Sequence, residues 1–419
     1  MTDPVLLDVE RLTFGFDALA HHGRQVVFVS HAAPGDRVAA DVVERRPGYL
    51  RARVRSVVTP GPARVVPGCR YFPLCGGCQW QQVAPPAQRD AKAAIVAEQL
   101  ARVAGVREVD VRPTLAPSGD WGYRGRISLV VEGRQAGYHR ARSHRLLEVA
   151  DCPIAEPVVA AHVEAARAWV ASLRVPLRRV TIAAAPGGVV LVGRAIRRPG
   201  PADLAASEAL LARLPSVRGT VVGGVGARLV AGDPTVRLEV EAGLDLEVPA
   251  DAFTQVNFAA NPTLVAAVLA AGAFVPGERV LDLSCGAGNL SLPVARRGAV
   301  VEGIERDAVA IAAADANAQR LGLKAYFRCA SVADGLRART GPPPDAAILD
   351  PPRQGAADAV VPLIALRPRR IVYVSCDPAT LARDVRPFLA AGWRLRCVQP
   401  IDVFPQTYHV ECVAELHLT

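Results

Sequence analysis

From Pro276-Gly277 onward the chain alternates strand and helix without interruption. Strand-like runs cover residues 279–283, 300–304, 325–329, 345–349 and 370–375. Helical stretches fall between or after them at 289–297, 307–321, 332–339, 357–367 and 378–391. Two apolar strands, 393–399 and 410–418, then follow with no helix between them. Strands that must cross over through helices pair in parallel and need both faces covered, so this part is an open parallel sheet flanked by helices. The final pair forms a hairpin inserted into that sheet.

The remainder of the 419 residues is organised differently. Short strands at 5–9, 24–29, 37–43 and 50–58, punctuated by Gly15, Gly23, Pro34-Gly35 and Pro47-Gly48, predict a small antiparallel barrel over residues 1–60. A Pro/Gly-rich bridge (Pro60 to Gly68) leads to a group of cysteines. Residues 61–250 read as α+β, with a helix over 88–103 and strands near 125–131, 180–185, 189–195 and 237–248. Alanine-rich helical patches lie at 158–172 and 204–213, and residues 251–419 form the third unit. Composition excludes disordered and fibrous classes, since 51% of residues are hydrophobic and 21% charged. The longest apolar stretch, Leu264 to Val275, is short of the ~20 residues that span a bilayer. With no secretory signal visible, a soluble cytoplasmic protein is expected, without membrane association or an obligate protein partner. The net charge is +9, and all but Lys92 and Lys324 of the 49 basic residues are arginines. Arginine's planar fork of donors suits phosphate and base contacts, which makes nucleic acid a candidate partner.

Within the alternating region, the first strand leads into Leu281-Asp-Leu-Ser284-Cys-Gly286-Ala-Gly288-Asn289-Leu290. Glycines at the carboxyl edge of an open sheet let the backbone approach a ligand. Glu305 ends the second strand, where a carboxylate reaches ribose hydroxyls. Ser291 stands where a dinucleotide fingerprint has its third glycine, so S-adenosylmethionine, which has no pyrophosphate, outranks a nicotinamide cofactor. With its closing hairpin, the topology is that of a class I, Rossmann-like methyltransferase. The fourth strand ends in Asp350-Pro-Pro-Arg353-Gln-Gly355, a rigid exit that holds Asp350 over the crevice.

The fifth strand runs into Cys376, just before a helix whose N-terminus is expected to lower the thiol's pKa. Cys285, Cys329, Cys397 and Cys412 lack such a setting. A nucleophilic thiol beside a methyl donor suits C5 of a pyrimidine: addition at C6 makes C5 nucleophilic, and a base must then remove the C5 proton. Glu411, at the start of the last strand, is the expected base, with His409 as runner-up.

These residues resemble the RNA (uracil-5-)-methyltransferase family. The resemblance is carried by Phe253-Thr-Gln255-Val-Asn257, the 282–289 loop, Asp350 to Gly355, Val374-Ser-Cys376-Asp-Pro-Ala-Thr-Leu-Ala-Arg383 and Phe404-Pro-Gln-Thr-Tyr-His-Val-Glu411. The first sixty residues resemble an RNA-binding TRAM barrel. The resemblance implies Cys376 as nucleophile, Glu411 as base, and Gln255, Glu305 and Asp350 at the methyl donor or target base. Ser284, Gly286, Gly288 and Asn289 complete the expected cofactor set. Two departures stand out: Ser284 where an aromatic is common, and Asp377 where asparagine is common.

Cys69-x5-Cys75-Gly-Gly-Cys78 with the distant Cys152 reads as four thiolates on one metal centre. The spacing leaves zinc and an iron–sulfur cluster equally open, and the resemblance implies a 4Fe-4S cluster. Before Cys152, Arg124, Arg126, Arg134, Arg140, Arg142 and Arg145 crowd together with Tyr123, Tyr138 and His139. That mixture suits single-stranded RNA, by backbone pairing and base stacking. By analogy the expected substrate is 23S ribosomal RNA, with transfer RNA as the alternative. A catalytically silent RNA-binding assembly factor is the alternative of another class.

Overall fold

The computed structural model describes residues 4–419. Strands β1 (Val5–Leu12), β2 (Asp17–His22), β3 (Gln25–Ser30), β4 (Arg37–Arg46) and β5 (Tyr49–Thr59) close into a barrel in the order β1-β2-β3-β5-β4. Strand β2 was not legible in sequence, because its inward residues are only Ala18 and Ala20. It forms by hairpin pairing with β3 across Gly23. The bridge after the barrel folds back beneath it. Arg64 forks onto the buried Asp36 at 2.6 and 2.9 Å, and Trp80, Val83 and Ile95 complete the barrel's apolar cluster.

Helix α1 (Pro85–Gln99) opens on two prolines and runs on as a π-helical turn, Leu100–Ala104. Its adjacent residues Ile95 and Val96 point into different cores, the barrel's and the C-terminal sheet's. The short strand β6 (Asp110–Val111) joins that C-terminal sheet. A second sheet contains β7 (Arg126–Glu132), β8 (Gln135–His139), β9 (Leu146–Leu147), β10 (Leu177–Ala185), β11 (Gly188–Ala195), β12 (Val217–Gly224) and β13 (Ala227–Gly232). Helices α2 (Pro157–Ala160), α3 (Val163–Ser172) and α4 (Pro201–Arg213) accompany it, and α4 is the crossover between the parallel neighbours β11 and β12. The single strand expected over 237–248 is instead a hairpin, β14 (Thr235–Glu241) and β15 (Leu244–Pro249). It turns at Gly243, whose φ is +73°. Residues 61–250 thus contribute to three different sheets.

Helix α5 (Asn261–Gly272) contains most of the long apolar stretch. The third sheet has β16 (Arg279–Leu283), β17 (Val300–Glu305), β18 (Ala325–Cys329), β19 (Ala346–Leu349), β20 (Arg370–Ser375), β21 (Trp393–Ile401) and β22 (Glu411–Leu418). Helices α6 (Ser291–Arg296), α7 (Ala308–Leu321), α8 (Val332–Arg337), α9 (Ala357–Leu366) and α10 (Pro378–Ala390) connect them. The order is β18-β17-β16-β19-β20-β22-β21-β6, parallel as far as β20, with β22 inserted antiparallel between β20 and β21. The sheet and inserted hairpin stand as the alternation required. Strand order reverses between β16 and β19, which opens a crevice at their carboxyl ends. Among the described residues no helix is long and apolar enough to cross a membrane.

Candidate active site

The crevice at the switch point is lined by carboxylates. Asp282 is fully buried on β16 and accepts from Ser291 Oγ at 2.5 Å, while its Oδ1 has no partner. Burial pushes its carboxyl up to about 7. Asp350, at the end of β19, is also pushed up to about 7, first by burial and then by Asp282 and Glu305. Glu305 accepts from Arg306 N and Asp307 N at 2.7 and 2.9 Å, and from Gly286 N at 3.4 Å. Gly286 has a φ of +54°, and a Cβ there would meet nothing within 4 Å, so the loop faces open space. Ser284 shares this left-handed geometry at +66° without being glycine. An orphaned buried carboxylate oxygen and an open backbone cradle fit a cationic ligand with an adenosine part, as in S-adenosylmethionine. Asn289, expected among the cofactor contacts, is engaged elsewhere. Its side-chain amide pairs reciprocally with that of Asn261 at 2.8 and 2.9 Å, pinning α5 to the loop. Gln255 is buried in the loop before α5 and makes no hydrogen bond among the described residues, while Phe253 beside it is 66% exposed.

The second half of the site is built by strand register. β20 pairs with β22 up to Ser375 opposite Cys412, so Cys376 and Glu411 are neighbours at the ends of adjacent strands. Glu411 is only 4% exposed. Burial first, then Asp350, pushes its carboxyl well above the ordinary range, and Arg353 opposes this. The Cys376 thiol is pushed up to about 12 by burial, then by Glu411, Asp350 and Asp377, again against Arg353. The expected lowering by the helix N-terminus is therefore overturned. Asp377 takes the first amides of α10 itself, accepting from Ala379 N and Thr380 N at 3.0 Å each, so that end of the helix carries a carboxylate. His409 stacks on Tyr408 at 4.1 Å and lies 3.4 Å from Arg353 Nη2 through its Nε2. Burial first, then Arg353, lowers it to about 3. A ring nitrogen engaged by a guanidinium is less available as a base than Glu411.

Cys69, Cys75, Cys78 and Cys152 all line one cavity, together with Tyr138 and Arg124. Tyr138 hydrogen-bonds the Cys152 thiol. Among the described residues no group of three or more His, Cys, Asp or Glu converges as ligands of one ion.

Against known proteins, a tRNA (Uracil-5-)-methyltransferase model matches residues 344–418, a methyltransferase domain matches 280–347 and a TRAM domain matches 5–54. A 23S rRNA (uracil(1939)-C(5))-methyltransferase of Nitrosococcus oceani is 37% identical, over 98% of this chain and 96% of its own. That of Thiobacillus denitrificans is 36% identical over 98% of both. The chain belongs to the RNA uracil-5-methyltransferase family. Its fold matches that of the Pyrococcus abyssi tRNA (uracil-54, C5)-methyltransferase, at 23% identity with a TM-score of 0.72, over 98% of this chain and 100% of that one.

As a member of this family the protein is a methyltransferase acting on uracil in RNA, and several expected RNA contacts turn out to be structural. Arg126 donates to Ala252 O at 2.8 Å and Thr254 Oγ1 at 3.3 Å, clasping the loop that carries Gln255. Arg134 donates to Ala171 O, and Arg142 pairs with the barrel's Asp17. Tyr123 is buried with its hydroxyl on Pro405 O, and Tyr138 faces the cysteines, so neither is a free stacking platform. Arg140 and Arg145 remain exposed. Sequence reasoning missed Arg353 as a charge acting on Cys376 and Glu411, although it lies in the quoted Asp-Pro-Pro-Arg segment. It also missed Lys92, one of only two lysines in the chain.

Proposed function

We propose that this enzyme methylates C5 of a uridine in structured RNA, 23S ribosomal RNA, through a covalent bond between Cys376 and C6 of the base. The carrying observation is the juxtaposition of Cys376 and Glu411 beside Asp350 at the end of the donor crevice. The Cys376 thiolate adds to C6, and the electron pair of the C5–C6 double bond makes C5 nucleophilic. S-adenosylmethionine, when bound, supplies the methyl group. Glu411 then takes the C5 proton, the double bond re-forms, and the C6–S bond breaks with its pair returning to sulfur. Asp282, Glu305 and the 284–288 loop would hold the donor, and Gln255 would face the base. Covalent catalysis here divides one difficult substitution into two easier steps. The ribosomal substrate is supported by the names of the full-length relatives described above. The target uridine must leave its stack to reach this buried pair.

We further propose that Cys69, Cys75, Cys78 and Cys152, which line one cavity, hold a 4Fe-4S cluster, as the family resemblance implies; four thiolates are also a zinc ligand set. The methylation needs no electron transfer, so the cluster's part is structural.

The test uses Glu411→Gln protein, S-adenosylmethionine and total RNA, denatured in detergent before the attached RNA is sequenced. The expected result is one uridine, in 23S rRNA, held covalently, and Cys376→Ala holds none. Attachment to a transfer RNA would move the substrate. No attachment at all, with the donor still bound, would remove Glu411 as the base.

A further inference from the structure

The segment between β21 and β22 carries the site into Glu411, yet it has no regular secondary structure of its own. Four consecutive carbonyls in it are instead held by four separate parts of the chain. Val403 O accepts from Asn257 Nδ2 at 3.0 Å, and Phe404 O from Lys92 Nζ at 3.0 Å. Pro405 O accepts from Tyr123 Oη at 2.9 Å. Gln406 O accepts from the amides of Gln79 and Trp80, next to Cys78, at 3.0 Å each. Gln406 itself sits at a φ of +68°.

Lys92 shares one face of α1 with a further tether, Gln88, four residues before it. The Gln88 side chain takes Gln406 N at 2.9 Å and donates to Gln406 Oε1 at 3.1 Å. Lys92 is fully buried and places its ammonium on Asp402 Oδ1 at 2.5 Å as well as on Phe404 O. Asp402 is 2% exposed. In a chain that otherwise carries arginine at 47 of its 49 basic positions, a slender ammonium with three donors occupies this closed pocket.

A buried ion pair is weak evidence for stability, because desolvation offsets most of the attraction. Its directional hydrogen bonds, in contrast, specify where a loop sits. A displacement of about 1 Å at a reacting group costs ~10²-fold in rate. We propose that Lys92 and Gln88 are positioning residues for Glu411, acting through Asp402 and Gln406 to set the carboxylate at the proton it removes. The proposal rests on Glu411 being the base that resolves the Cys376 adduct. Addition by Cys376, which stands between β20 and α10, does not depend on this tether. Loss of the tether therefore slows release more than attachment.

The test compares wild type, Glu411→Gln and the double variant Lys92→Met with Asp402→Leu. The double variant replaces the pair by apolar side chains and leaves no buried charge behind. Each is given S-adenosylmethionine and RNA, then denatured. The covalently held fraction is read against donor affinity and melting temperature. The expected result is donor affinity like wild type, turnover down ~10²-fold and protein accumulating on RNA. Turnover and release like wild type in the folded double variant would overturn the proposal. If the double variant does not fold, Asp402→Asn, which keeps shape and removes charge, replaces it. Accumulation above wild type then supports the tether, and wild-type levels overturn it. Absence of adduct with Glu411→Gln itself would instead overturn the base assignment, which separates the two failures.

Discussion

A thiol pushed up to about 12 beside a carboxyl pushed far above its ordinary range means that both groups tend to hold their protons before substrate arrives. Burial is the leading cause for each; Glu411 further raises the thiol, Asp350 raises both groups, and Arg353 opposes both shifts. The proposed mechanism uses the deprotonated form of each, so both act in the same direction. The kcat/KM should climb continuously from pH 6 to pH 9, by roughly a decade per unit where one ionisation limits, since this ratio reports the free enzyme. His409, lowered to about 3, stays neutral throughout and adds no limb. A profile flat across that interval would mean the thiol is ionised in the free enzyme. At this scale the sequence placed Cys376 and Glu411 at strand ends, where the structure has them as neighbours, because strand ends in an alternating pattern announce which residues lie at the sheet edge. It did not show the Asn289 amide pair, because the partner, Asn261, lies 28 residues away and comes close only through folding. Tyr123 and Tyr138 misled for the same reason: their hydroxyls find partners that no local pattern reveals.

At the scale of elements, the C-terminal strands were legible because each is a β-rich run bounded by helix signals. β16, β18 and β20 fall on the expected residues. The strands that escaped notice have weak alternation, like β2, or glycine-rich surroundings, like β12 and β13 in the 217–232 stretch. The sequence marks the cysteine loop as a candidate metal site but says nothing of its place beside the segment leading into Glu411. Its amides at Gln79 and Trp80 reach Gln406. The proposed cluster predicts that Cys78→Ser loses the iron and the brown colour of the purified protein. Cys329→Ser, on an exposed thiol, should change neither. Wild-type iron and sulfide content in Cys78→Ser would remove that residue from the ligand set.

At the scale of the whole molecule, α1 ties two cores together, with Ile95 in the barrel's and Val96 in the methyltransferase sheet's. Trp80 is fully buried in the barrel cluster while its amide holds the catalytic segment. Trp80→Ala should cost about 3–5 kcal/mol, and barrel and catalytic signals should be lost together in denaturant titration. Two separated transitions, with the catalytic part unaffected, would show that the cores are independent. Independent boundaries drawn at residues 60 and 250 are what composition suggests. The bridging role of α1 escapes such a reading, because helical periodicity does not say that two faces meet different partners.

The Lys92–Asp402 and Gln88–Gln406 contacts join residues 310 and 318 positions apart. During synthesis, the early half of that clasp waits while the donor-binding sheet is made. Long-range closure of this kind is slow compared with local structure. A nascent chain with its crevice already formed would bind methyl donor and still be unable to complete a turnover. The enzyme thus acquires its full chemistry late, in the step where the segment leading into β22 docks onto parts translated long before.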